Sequence, residues 1–227
     1  MNNGENKNGA TRDERTTRWN HCVGMLGFVP HPNLRVTALN CARWGRHMRY
    51  RRAEVAGGTY FFTVNLYDRK QRLLVEHIDL LREAVRKVKA MHPFEIDAMV
   101  ILPGHLHAVW TLPAGDADYP TRWALIKAGF SRRLPADERR SRSRLAKGER
   151  GIWQRRYWEH LIRDERDYAH HVDYCHYNPV KHGYMQRAAD WPHSTFHREV
   201  ERGTYPLDWA GTTHAATYAP KPPRKMT

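Results

Sequence analysis

The chain has 227 residues, of which 41% are hydrophobic and eight are Trp, so it can bury the core of one domain and is not a wholly disordered protein. No apolar run approaches the roughly 20 residues that a membrane-spanning helix requires, and the charged N-terminus lacks the apolar stretch of a secretory signal, so we expect no membrane partner. The formal net charge of +14 comes from clustered Lys and Arg, which favours a nucleic-acid partner over a merely basic surface.

Residues 1–47 lack the pattern of a folded domain. They are rich in Asn, Gly, Thr and charge, and their apolar residues follow neither a strand nor a helix period. The pattern changes abruptly after Met48. We therefore predict a flexible or weakly ordered extension over 1–47, a native start at Met48, one domain over 48–212 and a basic tail over 213–227.

The first half of the domain predicts a strand, a helix and a hairpin. A Gly pair followed by β-branched and aromatic residues predicts a strand over 59–66. Apolar residues at helical spacing predict an amphipathic helix over 77–91. The next apolar stretch is broken by Pro103-Gly104, which predicts two strands, over 94–102 and 105–112, joined as a hairpin.

The second half predicts two more helices with a basic loop between them. The helices are expected over 121–134 and over 165–177, the latter ending before Pro179. Between them lie a low-complexity basic loop over 135–150 and an aromatic segment over 152–163 that is either a strand or irregular. The order β-α-β-β-α-α predicts an α+β fold, with helices packed on an antiparallel sheet.

The sequence His105-Leu106-His107 is the first candidate site. Alternate residues of a strand point to one face, so both imidazoles lie together while Leu106 points into the core. Two such histidines can ligate one divalent metal and leave positions open for substrate oxygens. A His-x-His sequence also arises often by chance, so this motif alone is weak evidence.

Tyr174 and Asn178 form the second candidate site, because residues four apart share one helix face. A tyrosine facing a two-histidine metal site suits attack on a phosphodiester, and the Asn178 amide oxygen suits the metal shell. The alternatives are a core tyrosine and an Asn that merely ends a helix before Pro. We prefer Tyr174 over Tyr177 because only Tyr174 shares a face with Asn178. His170 and His171 are candidates for DNA contact or for simple exposure.

Several ordered blocks resemble one known family. The blocks are YRRAEVAGGTYFFTVNL, PFEIDAMVILPGHLHAVWTLP, WQRRYWEHLIRDERDYAHHVDYCHYNPVKHG and WPHSTF, and the likeness runs from near Tyr50 to TYPLDWAG. They resemble the REP-associated tyrosine transposases, bacterial members of the HUH superfamily of single-tyrosine transposases. Residues 1–47 lie outside the likeness, and the basic loop looks longer than the family pattern needs.

The resemblance implies a fold, a chemistry and a substrate. The fold is a ferredoxin-like antiparallel sheet with packed helices. His105 and His107 match the pair that holds Mg²⁺ or Mn²⁺, Tyr174 matches the nucleophile, and Asn178 falls where a third ligand is presented. The family cleaves single-stranded DNA beside hairpins of repetitive extragenic palindromes (REP), leaving a 5′-phosphotyrosine and a free 3′-hydroxyl, so the strand can be rejoined.

Binding to the hairpin is expected to involve the basic loop and the adjacent histidines His170 and His171. The proposed DNA contacts are Arg139, Arg140, Arg142, Arg144, His170 and His171. The three Cys, irregularly spaced, suggest no disulfide framework and fit a reducing cytoplasm. With DNA as the expected partner, we expect a cytoplasmic, nucleoid-associated protein. Monomer and homodimer both stay open. The alternatives are a non-catalytic protein that binds hairpin DNA or RNA, and a metal-dependent hydrolase that uses water as its nucleophile.

Overall fold

Four strands form one antiparallel sheet in the computed structural model, which describes residues 53–136, 138 and 140–209. The predictions for 1–47 and 213–227 lie outside these residues, as does Arg139. The strands, in chain order, are β1 (Thr59–Asn65), β2 (Glu95–Leu102), β3 (His105–Thr111) and β4 (Trp158–Leu161). Their spatial order is β2-β3-β1-β4, with all neighbours antiparallel. The predicted α+β, ferredoxin-like arrangement is confirmed.

Six α-helices and one short 3-10 helix lie among the described residues. The helices, in chain order, are α1 (Leu73–Glu76), α2 (Ile78–Met91), α3 (Tyr119–Ser131), α4 (Arg142–Leu145), α5 (Glu165–Lys181), the 3-10 helix Ala188–Asp190 and α6 (Phe196–Glu201). None of these described helices is long and apolar enough to span a bilayer.

Side chains along each strand alternate between the two faces of the sheet, and each face packs in its own hydrophobic core. Tyr60 and Phe62 of β1 face a core shared with α2 and α3, whereas Phe61 faces the opposite core beneath α5. On β3, Leu106 belongs to the α2/α3 side, as predicted from the alternation. His105 and His107 therefore face α5, which lies across β2 and β3.

Helix α5 continues four residues beyond its predicted end, so the prediction that it stops before Pro179 was wrong. Pro179 has no N–H to donate to the carbonyl of Cys175, which is why Pro usually ends a helix. Here both residues are buried, so packing on the sheet holds the backbone helical. The helix ends at Lys181, just before Gly183, whose φ of 69° suits a helix terminus.

The segment between α3 and β4 is more ordered than a low-complexity loop. It contains α4, and the guanidinium of Arg150 donates to the carbonyl oxygens of Ser131 and Leu134 at 2.6 and 3.0 Å. The Arg150 side chain also pairs with Glu138. Arginine thus ties this segment to the end of α3, which the charge run alone did not predict.

Gly104, between β2 and β3, packs directly against the backbone of the β1–α1 loop. A Cβ at this position would lie 2.4 Å from the carbonyl oxygen of Arg69. We expect Gly104→Ala to lower the free energy of unfolding by about 1–3 kcal/mol, measured by urea denaturation. Gly129→Ala in α3 is the matched control: its Cβ meets that of Ala84 at 3.5 Å, an ordinary contact, and should stabilise by about 0.5–1 kcal/mol. Equal losses of stability for both variants would contradict this packing.

Candidate active site

His105 and His107 lie side by side on β3, buried beneath α5. The two residues are 6% and 3% exposed, and their ring centroids lie 5.1 Å apart. The antiparallel register places Thr63 of β1 opposite His107, and Thr63 Oγ1 lies 2.9 Å from His107 Nδ1. That hydrogen bond fixes the ring, and a proton on Nδ1 leaves the Nε2 lone pair free to bind a cation. Nε2 itself is buried without a hydrogen-bond partner.

Both imidazoles are held neutral. Burial lowers the pKa of His105 to about 3, helped by the charges of Arg69, His182 and Lys181 and opposed by the nearby Asn178 amide. Burial likewise lowers the pKa of His107 well below its ordinary value. Protons therefore do not compete for either ring at neutral pH, as a metal-binding histidine requires.

Tyr174 lies against this histidine pair, as its predicted helix face requires. Its ring centroid is 5.0 Å from that of His107, edge to face, and 5.8 Å from that of Phe61. Tyr177 is 7% exposed and packs with Ala188 and Phe196 in a separate cluster. Of the two candidate tyrosines, only Tyr174 meets His107 in these contacts.

Asn178 lies one turn after Tyr174 and is fully buried. Its Nδ2 donates to the carbonyl oxygen of Tyr174 at 3.2 Å, while its Oδ1 lies near His105 and accepts no hydrogen bond of good geometry. A buried amide oxygen without a donor costs free energy unless something else satisfies it. Its position near His105 makes the Oδ1 a natural third ligand for a cation held by the two histidines.

Two cations and one further histidine surround the site, and none of the three was identified from the sequence. Lys181 Nζ donates to Tyr174 Oη at 3.3 Å and lies 4.6 Å from the centroid of that ring. The ring centroid of His182 is 5.1 Å from that of His105, and the positive charge of Arg69 lowers the pKa of both histidines. Lys181 is seven residues after Tyr174 on the same helix face, a signal hidden by the predicted helix end at 177.

The candidate DNA contacts fall into different environments. Arg140 and Arg142 are exposed, but Arg144 is 9% exposed, its guanidinium lying 4.3 Å from the ring centroid of Tyr67. His170 is exposed, whereas the His171 ring packs between His160 and Phe61. Arg144 and His171 are thus integrated into the fold, and Arg140, Arg142 and His170 are the surface members of the set.

Similarity to known proteins agrees with this geometry. The chain is 52% identical over 162 residues to the REP-associated tyrosine transposase of Escherichia coli strain K12, a stretch covering 71% of this chain and 90% of the relative. A Haemophilus influenzae protein provisionally given the same name is 48% identical over 163 residues, covering 71% of this chain and 93% of its own.

Structural comparison points the same way. A solved structure of a REP-associated tyrosine transposase bound to a REP hairpin matches with a TM-score of 0.65 at 48% identity, covering 80% of this chain and all of that one. No protein-family model matches the chain. The high identity over nearly the full length of both relatives, together with the shared fold, shows that the chain belongs to the family of REP-associated tyrosine transposases.

Proposed function

We propose that this protein is an HUH-type tyrosine transposase that nicks and rejoins single-stranded DNA beside a REP-type hairpin, with Tyr174 as nucleophile. The proposal rests mainly on the contact between the half-buried Tyr174 and His107, whose ring centroids lie 5.0 Å apart. His107 and its neighbour His105 are both neutral. The family relationship and the net charge of +14 support a DNA substrate, and we infer a cytoplasmic, nucleoid-associated protein.

The residues present fit a divalent cation. His107 Nε2 and Asn178 Oδ1 are buried acceptors without partners, and His105 lies beside both. Two imidazoles and one neutral oxygen would hold Mg²⁺ or Mn²⁺ and leave its other positions for phosphate oxygens and water. Such an ion, when bound, supplies Lewis-acid polarisation of the scissile phosphodiester.

The covalent step transfers the DNA strand to the tyrosine. Tyr174 Oη forms a bond to the scissile phosphorus, and the bond from phosphorus to the 3′-oxygen breaks. The hydroxyl proton of Tyr174 is lost and the leaving 3′-oxygen gains one, so the products are a 5′-phosphotyrosine and a free 3′-hydroxyl. Rejoining runs the same step in reverse with another 3′-hydroxyl.

Two basic side chains prepare this step. The Lys181 ammonium donates to Tyr174 Oη and so fixes the position of the attacking oxygen. Arg69 brings positive charge to the His105 side of the site, which favours approach of the phosphate. Neither role was expected from the sequence, and both depend on the local path of α5 and the β1–α1 loop.

The proposal is tested with a single-stranded REP hairpin carrying a label on the 3′ side of the scissile bond. With Mg²⁺, we expect the label to become attached to the protein, resistant to denaturant, and the other fragment to end in a 3′-hydroxyl. Binding without cleavage would identify a non-catalytic hairpin-binding protein. Cleavage that never labels the protein would identify a hydrolase that uses water.

The exposed arginines predict a separable effect on binding. Replacing Arg140 and Arg142 with Ser should weaken binding to all hairpins alike. The slope of the logarithm of the binding constant against the logarithm of the salt concentration should become shallower by about one for each phosphate that is no longer neutralised. Both are measured by anisotropy titration over a salt series. Cleavage at saturating DNA should be unchanged. Lys89→Ser, which removes an exposed cation from the end of α2, is the control. An unchanged affinity and salt slope would show that this segment does not contact the hairpin.

A further inference from the structure

A second group of metal-ligand side chains lies on the α5 face of the sheet, apart from the His105/His107 pair. His160 comes from β4, and Asp167 and His171 lie one turn apart on α5. One donor atom of each lies within 4.8 Å of the other two, and the described residues contain no other such group of three His, Cys, Asp or Glu side chains. We propose that these three residues bind a transition-metal ion of the Zn²⁺ class.

The arrangement of donors supports this assignment. His160 Nε2 lies 2.8 Å from Asp167 Oδ2. His171 Nδ1 lies 2.7 Å from the backbone carbonyl oxygen of Asp167 and 3.2 Å from its Oδ1, so each carboxylate oxygen still faces a different imidazole. Two imidazoles and one carboxylate are a ligand set that Zn²⁺, Co²⁺ and Ni²⁺ accept.

The charge at Asp167 is suited to a cation. Burial alone would raise the pKa of this carboxyl, but hydrogen bonds from His160, His171 and Arg163 hold it well below its ordinary range. The Asp167 side chain is 7% exposed, which shields the carboxylate from bulk water. His160 is 24% exposed, which leaves an ion a route from solvent.

Arg163 is the cation that already contacts this carboxylate. Its Nε and its backbone N–H donate to Asp167 Oδ2 at 2.9 and 3.1 Å, while the Arg163 side chain is 71% exposed. The guanidinium can therefore swing into water, and the backbone donor stays to orient the carboxylate. An entering ion replaces the hydrogen bonds between imidazole and carboxylate, and the backbone contact acts as the outer hydrogen bond that fixes a metal-binding carboxylate.

An ion at this place would join β4 to the first half of α5. The His171 ring centroid is 4.7 Å from that of Phe61, which is 5.5 Å from that of His107. Tyr174 follows His171 by less than one helical turn. The expected role is structural: the bound ion holds the helix that carries Tyr174 on the sheet.

Zinc binding tests the proposal in a protein that lacks the first pair of histidines. In His105→Ala/His107→Ala, we expect one equivalent of Zn²⁺ to bind and to raise the Tm. Adding His160→Gln and His171→Gln should weaken that binding at least about tenfold and remove the Tm shift. Adding His77→Gln instead, which alters a histidine outside the described three-residue group, should change neither.

Cobalt spectroscopy needs no change to the cluster itself. Co²⁺ added to His105→Ala/His107→Ala should give the intense visible absorption of a four-coordinate, tetrahedral Co²⁺ ion, and Zn²⁺ should displace the Co²⁺. A spectrum identical to that of aqueous Co²⁺, or equal Zn²⁺ affinity with and without His160 and His171, would overturn the proposal. Neither readout involves DNA, so the outcome is independent of whether the chain cleaves hairpins.

Discussion

His107→Ala is expected to abolish strand cleavage while leaving hairpin affinity within about a factor of two. His107 Nε2 is buried and has no partner in the protein, which suits it to serve as a ligand to the catalytic cation. A metal that stabilises charge on the phosphate contributes several kcal/mol, so cleavage should fall by at least about a thousandfold. Affinity should persist because phosphate contacts elsewhere dominate binding. The measurement pairs single-turnover cleavage with anisotropy on the same hairpin.

Variants around His107 should form a graded series. His105→Ala should match His107→Ala, while Asn178→Ala should cost less because water can replace a neutral oxygen ligand. Thr63→Val removes the hydrogen bond to His107 Nδ1 and keeps the shape of the side chain, so a loss of about 10–100-fold in metal affinity or activity is expected. Full cleavage by the His105→Ala/His107→Ala double variant would remove the metal hypothesis.

Tyr174→Phe should also abolish cleavage, for a different reason. Phe keeps the ring against His107 and Phe61, so the fold and metal affinity should stay intact while the nucleophilic oxygen is lost. Tyr177→Phe is the matched control and should cleave normally, because Tyr177 packs with Ala188 and Phe196 in another cluster. The readout is the rate of strand cleavage at saturating Mg²⁺. Undiminished cleavage by Tyr174→Phe would mean that water or another residue attacks the phosphate.

The placement of the site's main residues was predictable because it depends on local periodicity. Alternation along β3 places His105 and His107 on one face, and helical spacing aligns Tyr174 with Asn178. The structure gives each pair the predicted common face. Local periodicity does not determine which face of a strand packs against which helix, because that depends on contacts between residues far apart in the chain. The family resemblance supplied this information.

The errors arose where tertiary packing overrides local rules. Pro179 predicted a helix end, but the buried helix continues and brings Lys181 to the oxygen of Tyr174. A run of arginines predicted a low-complexity basic loop, yet the segment contains α4 and its Arg144 guanidinium lies over the ring of Tyr67. His171 keeps a ring contact with its neighbour His170 and also packs against Phe61 of β1 and His160 of β4, which local sequence did not predict.

Peptide mapping of the protein–DNA adduct identifies the residue that attacks the phosphate. The wild-type protein is incubated with the single-stranded hairpin and Mg²⁺, denatured, digested and measured by mass spectrometry. We expect one modified peptide, with the nucleotide joined through phosphate to Tyr174. A nucleotide on Tyr177, or complete cleavage without any modified peptide, would contradict it.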